Sequence, residues 1–272
     1  MNINKICANA MLVLAIALAI TGCKKLDRPE LGDYPKDLNP PGGPLKFYAA
    51  LDGGRVVDSI RANFGIDKDV TYVDGVRGKA AKFDIAKKGN IVFPSANDFG
   101  TQTDVTISLW INAGTIAMKD PDKANGVIAF GKTSDFWGNL TVFIESEKSR
   151  ADSMVLKVVL GGNFITYEGP KRIARMYDNK WHHMAYTYQA SDSSYKFFLD
   201  GAMYDQRTLG KKAVFKDASV FVVGGFQQAA SIQGNYNDNT WMSPFTGAID
   251  QVRLYGKLLS PTEITQLYTS KM

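Results

Sequence analysis

Two histidines, His182 and His183, are the only ones in the chain, side by side in DNKWHHMAYTYQASDSSYKFFLDG, residues 178–201. A pair of imidazoles invites a metal or acid–base reading. The spacing argues against it. The apolar, aromatic run around the pair reads as a β-strand. Neighbouring strand residues point to opposite faces, so one ion cannot take both rings. One imidazole is expected at the core or a sheet edge and the other in solvent. The polar QASDSS then turns, YKFFLDG returns with Tyr195, Phe197 and Leu199 on one face, and Asp200-Gly201 turns again. Glu145 and Glu147 in FIESEKS are a second candidate pair, two apart and so on one strand face. A glycosidase needs two carboxylates flanking one bond. The polar SEKSRADS that follows reads better as a solvated hairpin tip. No serine or cysteine nucleophile motif accompanies either pair.

Two other stretches mix aromatics with amides and acids. SDFWGNL presents Trp137 beside Asp135 and Asn139. GGFQQAASIQGNYNDNTWMSPF, residues 224–245, is long for a connection between strands and carries Tyr236, Asn237, Asp238 and Trp241. Aromatic faces stack on the C–H surfaces of sugars, while amides and carboxylates bond hydroxyls. Trp137, Asn139, Tyr236, Asn237, Asp238 and Trp241 are therefore the candidate ligand-binding residues. The same aromatics could fold back to plug an edge of the fold, and residue types alone leave both readings open. Trp110 and Trp181 fall inside strand patterns and read as core.

The elements that must position these residues are mostly short strands. From Phe47 onward, β-rich runs alternate with turn clusters, and long amphipathic helical windows are absent, which predicts an antiparallel sandwich. Only SPTEITQLY reads as helix: Ser260 at the N-cap, Pro261 at the first position, Glu263 closing a capping box. Residues 1–22 form an export leader, with Lys5 ahead of an apolar run too short for a comfortable membrane span. ITGC, ending at Cys23, resembles the bacterial lipobox, which implies lipidation of Cys23. Residues 23–44 form a Pro-rich tether, and residues 45–272 the folded domain. Cys7 lies in the leader, so the mature chain has one thiol, no disulfide and no cysteine set for zinc. The net charge of +5 comes from 32 basic and 27 acidic residues spread along the chain. No basic run marks a nucleic-acid surface.

Four ordered blocks carry a family resemblance. YVDGVRGKAAKFDIAKKGNIVFP, DVTISLWINAG, DNKWHHMAYTY with YKFFLDG, and FTGAIDQVRLYGKLLSPTEITQLY resemble the laminin-G-like, concanavalin A-like jelly rolls, from about Phe47 to Tyr268. The resemblance implies an all-β, two-sheet antiparallel jelly-roll sandwich with a short C-terminal helix. It also implies a structural calcium near the meeting of the first and last strands. The matching acids are Asp52 in ALDGG and Asp250 in GAIDQV. Their alternatives are a turn start for Asp52 and a strand cap or a pair with Arg253 for Asp250. FIESEKS resembles the acidic strand of laminarinase-type sandwiches but departs from it at Glu147 and Arg150, where an aspartate and a second glutamate belong. The fold hosts lectins, hydrolases and adhesion modules alike. The expectation is a lipid-anchored protein of the cell envelope, at the outer membrane. It would bind a polysaccharide or glycoconjugate without catalysis, with an envelope protein partner as the first alternative and a glycoside hydrolase on the same fold as the second.

Overall fold

The computed structural model describes residues 42–113 and 123–271. The expected leader, Cys23 and the expected tether through residue 41 lie outside the described residues. Among the described residues, no helix is long and apolar enough to cross a membrane.

Two sheets make the fold. In the first, the spatial order is Ala202–Thr208, Ser194–Leu199, His182–Gln189, Val105–Asn112, Gly247–Tyr255, Leu45–Ala49, Val57–Asp58 and Asn63–Phe64. Lys79–Phe83 pairs with the start of Gly247–Tyr255 and with Thr71–Asp74. In the second sheet the order is Asn163–Tyr167, Leu156–Leu160, Leu140–Glu145, Ala124–Lys132, Ala218–Val223, Asn90–Phe93 and Ile66–Lys68. Met242–Pro244 adds to Ala124–Lys132 in parallel, an exception in an otherwise antiparallel fold. A short pair, Ser153–Met154 with Ile173–Ala174, stands apart.

Strand alternation decides what each sheet buries. Met184, Tyr186 and Tyr188 of one strand meet the core, as do Tyr195 and Phe197 opposite them, with Tyr186 in register with Phe197 and stacked on it at 5.0 Å. Leu199 packs on the same core, so the predicted face is the observed one. The two sheets meet where Phe47 of the first lies 4.9 Å from both Phe93 and Phe221 of the second, edge-on to each. Asp200 and Gly201 both take left-handed backbone, φ 50° and 78°, as the Asp-Gly turn requires.

The helix Pro261–Thr269 forms with the predicted capping box. Glu263 N–H donates to Ser260 Oγ, and Ser260 N–H to the Glu263 carboxylate at 2.7 Å. Ile264 and Leu267 pack on Ala185 and Phe198, which point away from the intersheet core. The helix therefore closes the outer face of the first sheet. The outer face of the second sheet carries no α-helix among the described residues, only the 3₁₀ turn Gln227–Ala230.

Candidate functional site

The histidines diverge, as alternation demands, but neither reaches free solvent. His183 lies on the outer face of the first sheet and is fully buried. Its Nε2 is 2.8 Å from Ser108 Oγ, and its ring sits 5.1 Å from Trp110 and 6.3 Å from Tyr268. Burial pushes its pKa down to about 4, so the ring stays neutral. His182 turns to the core side at the strand's end. Its Nδ1 meets Asp200 at 2.9 Å and its Nε2 meets Asp178 at 3.1 Å, and the Asp200 bond raises its pKa. The solvent-facing expectation fails because the C-terminal helix covers that face. Trp110 is buried as expected, though on the outer side of its sheet, whereas the core reading of Trp181 needs correction. Trp110 stacks on Tyr268 of the helix, and half-buried Trp181 lines a surface hollow beside them.

The two aromatic segments come together. The loop after Ala218–Val223 docks on the turn after Ala124–Lys132 through its glutamines. Gln227 Nε2 donates to the carbonyls of Asp135 and Phe136 at 2.6 and 3.0 Å, and Gln227 Oε1 accepts from Lys132 N–H at 2.7 Å. Gln228 Nε2 donates to Phe136 O at 3.0 Å. Gly126 makes the approach possible: a Cβ there would lie 2.5 Å from the Gly225 backbone and 2.7 Å from Phe226. Trp137 and Trp241 then stand 5.8 Å apart. Trp137 stacks on Phe143 at 5.3 Å and meets Phe164 edge-on at 5.3 Å. Trp241, 40% exposed, and Phe164, 57% exposed, leave this cluster open to solvent on the outer face of the second sheet.

The other candidates divide by what their polar atoms already do. Asn139 is buried, donates to the carbonyls of Gly131 and Lys216, and accepts from Lys216 N–H. Its amide is a clamp between two segments, which corrects the ligand-binding reading. Tyr236 is the plug foreseen as the alternative. Its ring packs on Phe226 and Met242, and its hydroxyl accepts from Phe226 N–H at 3.0 Å. Burial raises its pKa. Asp238 is exposed but accepts from the Asn235 side chain at 2.7 Å within its own turn. Asn237 is exposed and accepts from Lys88 Nζ at 3.2 Å. Sequence reasoning missed Phe136, Phe164 and Lys88, and it missed the clamping role of Gln227. The one visible signal was glycine inside the strand GVIAFGK, a mark of close backbone approach.

Glu145 lies on the same outer face as Phe143, but both its oxygens meet lysines: Lys157 at 2.7 Å and Lys148 at 3.2 Å. The strand ends there, and residues 146–148 wind into a single 3₁₀ turn. Glu145 and Glu147 therefore do not share a strand face.

Asp52 and Asp250 flank the turn Gly75–Lys79. Asp52 Oδ1 accepts from Lys79 N–H at 2.8 Å, and Asp250 Oδ2 from Val76 and Arg77 N–H at 2.8 and 3.3 Å. Glycine is required at both ends of the turn. A Cβ on Gly78 would lie 2.0 Å from Asp52 Oδ1, and one on Gly75 2.4 Å from Asp250 Oδ2. Asp250 Oδ1 is buried without a hydrogen-bond partner among the described residues. Burial first, and the nearby Asp52 charge last, push the Asp250 pKa up to about 6. The pair with Arg253 does not form: that guanidinium lies 4.1 Å above the Tyr48 ring and donates to Gln251 Oε1 at 2.8 Å. No third histidine, cysteine or carboxylate joins the two acids as a metal-binding group among the described residues. An unpartnered, buried carboxylate oxygen beside a second carboxylate is nonetheless the chemistry a hard cation takes.

A two-sheet antiparallel sandwich with one short helix is a jelly roll of the lectin and glucanase class. The chain belongs to the concanavalin A-like lectin/glucanases superfamily, whose Laminin G 3 model matches residues 86–265, more than half of its length. Among solved structures it is similar to domain 4 of AbnA, a GH43 extracellular arabinanase from Geobacillus stearothermophilus, in complex with arabinotriose. Identity there is 19% over 82% of this chain and 98% of that one, with a TM-score of 0.56. It is similar also to the botulinum neurotoxin type G receptor binding domain, at 14% identity over 84% of this chain and 51% of that one, TM-score 0.57. The binding domain of Paraclostridial Mosquitocidal Protein 1 is similar at 16% identity over 84% and 52%, TM-score 0.59. This chain spans about half the length of those two. At such identities the likeness is one of fold. No curated protein matches the chain.

Proposed function

We propose that this domain is a non-catalytic carbohydrate-binding module whose ligand, a polysaccharide or glycoconjugate, lies across Trp241, Trp137 and Phe164. One observation carries the reading. Two segments some ninety residues apart are held together by buried glutamine bonds, and the aromatics they unite stay open to solvent. A loop serving only to plug the edge would bury Trp241 as it buries Tyr236. The pairing of Glu145 with two lysines favours binding over hydrolysis, because a general acid must be free to give its proton. The arabinotriose complex of the AbnA domain supports a sugar ligand for this fold. The test is retention by a glycan array or affinity gel, weakened by Trp241→Ala; retention unchanged by that substitution and by Trp137→Ala refutes the assignment.

The reading extends to two features carried by chemistry alone. Asp52 and Asp250 would hold a structural calcium ion, with turn carbonyls completing the shell. Cys23 would carry a lipid that anchors the protein to the cell envelope, at the outer membrane, with the tether holding the domain off the surface. A second reading, an envelope protein partner, is favoured by Phe64 and Ile66. Both are exposed at sheet edges, Ile66 by 76%. A neighbour of the same fold, a botulinum neurotoxin binding domain, is in complex with rat synaptotagmin II.

A further inference from the structure

The docked loop divides the outer face of the second sheet. On one side is the aromatic cluster, over Leu140–Glu145 and Asn163–Tyr167. On the other, over Asn90–Phe93 and Ile66–Lys68, is a hollow of about 350 Å³ whose walls include Lys68, Lys88, Asn90, Gln228, Asn235 and Asn237. Lys68 and Asn90 are cross-strand partners, on the face opposite Ile91 and Phe93, which point into the core. Among the described residues neither lysine has a carboxylate within 4.0 Å. Lys88 Nζ meets only the amide oxygen of Asn237; Asp67 is engaged by Tyr72 and Asp238 by Asn235, while Asp69, next to Lys68, is exposed and pairs with neither lysine. That bond commits Asn237 Oδ1 and leaves its amide N–H groups. Gln228 is 2% exposed, gives its Nε2 to Phe136 O, and has an Oε1 without a partner among the described residues.

These groups are complementary to one kind of ligand. Two uncompensated ammonium groups call for an anion. The amide N–H groups of exposed Asn237 call for an oxygen acceptor, as a carboxylate, a sulfate or a hydroxyl supplies, while Gln228 Oε1, buried beneath the surface, forms part of the wall. We propose that this hollow binds the acidic substituent of a charged glycan, a uronate carboxylate or a sulfate ester, on the chain whose neutral faces lie on the Trp137–Trp241 cluster. The inference rests on the carbohydrate-binding reading and adds the charge class of the ligand.

Calorimetric titration of the full chain against matched polysaccharide pairs tests it: polygalacturonate with its methyl ester, and dextran sulfate with dextran. The acidic member of one pair binds about tenfold tighter than its neutral partner, and which pair shows the difference names the acid. The double variant Lys68→Gln, Lys88→Gln loses that advantage and keeps the neutral affinity. Both lysines are exposed, so the variant's unfolding curve stays that of the parent. Equal affinity for both members of each pair overturns the charged-ligand inference and leaves the aromatic site standing. So does an advantage that survives the double variant, or competition by polyglutamate as strong as by polygalacturonate. Binding to no polysaccharide overturns both readings together.

Discussion

The two sheets of this sandwich have outer faces built to opposite ends. On the first, the helix Pro261–Thr269 lies over Ala185 and Phe198, and Trp110 and His183 are sealed beneath Tyr268. Polar groups there are buried, some paired within the protein, as Ser108 is with His183, and some, such as His183 Nδ1 and Asp250 Oδ1, without a partner among the described residues. On the second, what covers the sheet is a loop, and it covers only the middle. Val222 disappears under it, while Trp241, Phe164, Lys68 and Lys88 stay accessible on either side. Aromatic residues are common to both faces, so residue type does not separate structure from recognition. What separates them is whether an element of the chain itself completes the contact.

The sharpest way to break this contrast is at Trp110. Trp110→Ala empties a buried site under the helix and should cost ~3–5 kcal/mol in urea unfolding, with glycan affinity unchanged in the folded fraction. Lost affinity with unchanged stability would make the closed face a binding face. The next effect is pH-dependent. His183 has a folded pKa of about 4, held there mainly by burial, with Asp200 and Arg253 as its charged neighbours. The unfolded chain takes up its proton near pH 6.5 and the folded one does not. Its stabilising contribution is thus full above pH 6.5 and lost as pH falls toward 4, by ~3 kcal/mol. His182 works in the other direction: its raised pKa stabilises below 6.5 and is lost as pH rises through the folded value. His183→Gln should flatten the acid limb of the stability curve relative to the parent. An unchanged limb would show the ring titrating in contact with water.

How much of this was legible in the sequence depends on the range of the interactions. Local rules placed the hairpin, its Asp200-Gly201 turn and the capping box at Ser260 and Glu263, because each is set by residues within a few positions of one another. The antiparallel sandwich followed from turn spacing, and the jelly roll from the resemblance carried by four ordered blocks. Covering and docking were not legible. That His183 would be buried depends on where a helix eighty residues later comes to rest. That Asn139 would clamp Lys216 rather than meet a ligand depends on a contact 77 residues away. A period of two assigns faces to a strand but does not say what lies over each face. Gly126 and Gly131 hinted at close approach, without naming the segment that approaches.

A smaller effect sharpens the contrast from the open side. Trp241→Ala should weaken glycan binding about 30-fold, the ~2 kcal/mol of an anchoring tryptophan. Because the ring is 40% exposed and sits at the rim of the cluster, unfolding free energy should move by less than about 1 kcal/mol. Trp137→Ala should lose both, since that ring also packs on Phe143. Equal stability losses for the two variants would mean that Trp241 is a plug after all.

The smallest predicted effect tests the rim between the faces. Asp250 belongs to the first sheet and its side chain points outward, yet one of its oxygens has no hydrogen-bond partner among the described residues and Asp52 stands across the turn. Left without a cation, this pair repels and the buried carboxylate is costly. Calcium at about ten times its dissociation constant would add ~1.4 kcal/mol to stability, a rise of roughly 4 °C in melting temperature that a chelator reverses. Asp250→Asn removes one ligand charge and should abolish the calcium-dependent shift while leaving the chelated protein no less stable, since the repulsion goes with it. A melt indifferent to chelator in the parent refutes the site. The glycan titration repeated with chelator then decides its role. Unchanged affinity places the ion with the closed, structural face, whereas lost affinity would tie the rim to recognition and dissolve the division between the two sheets.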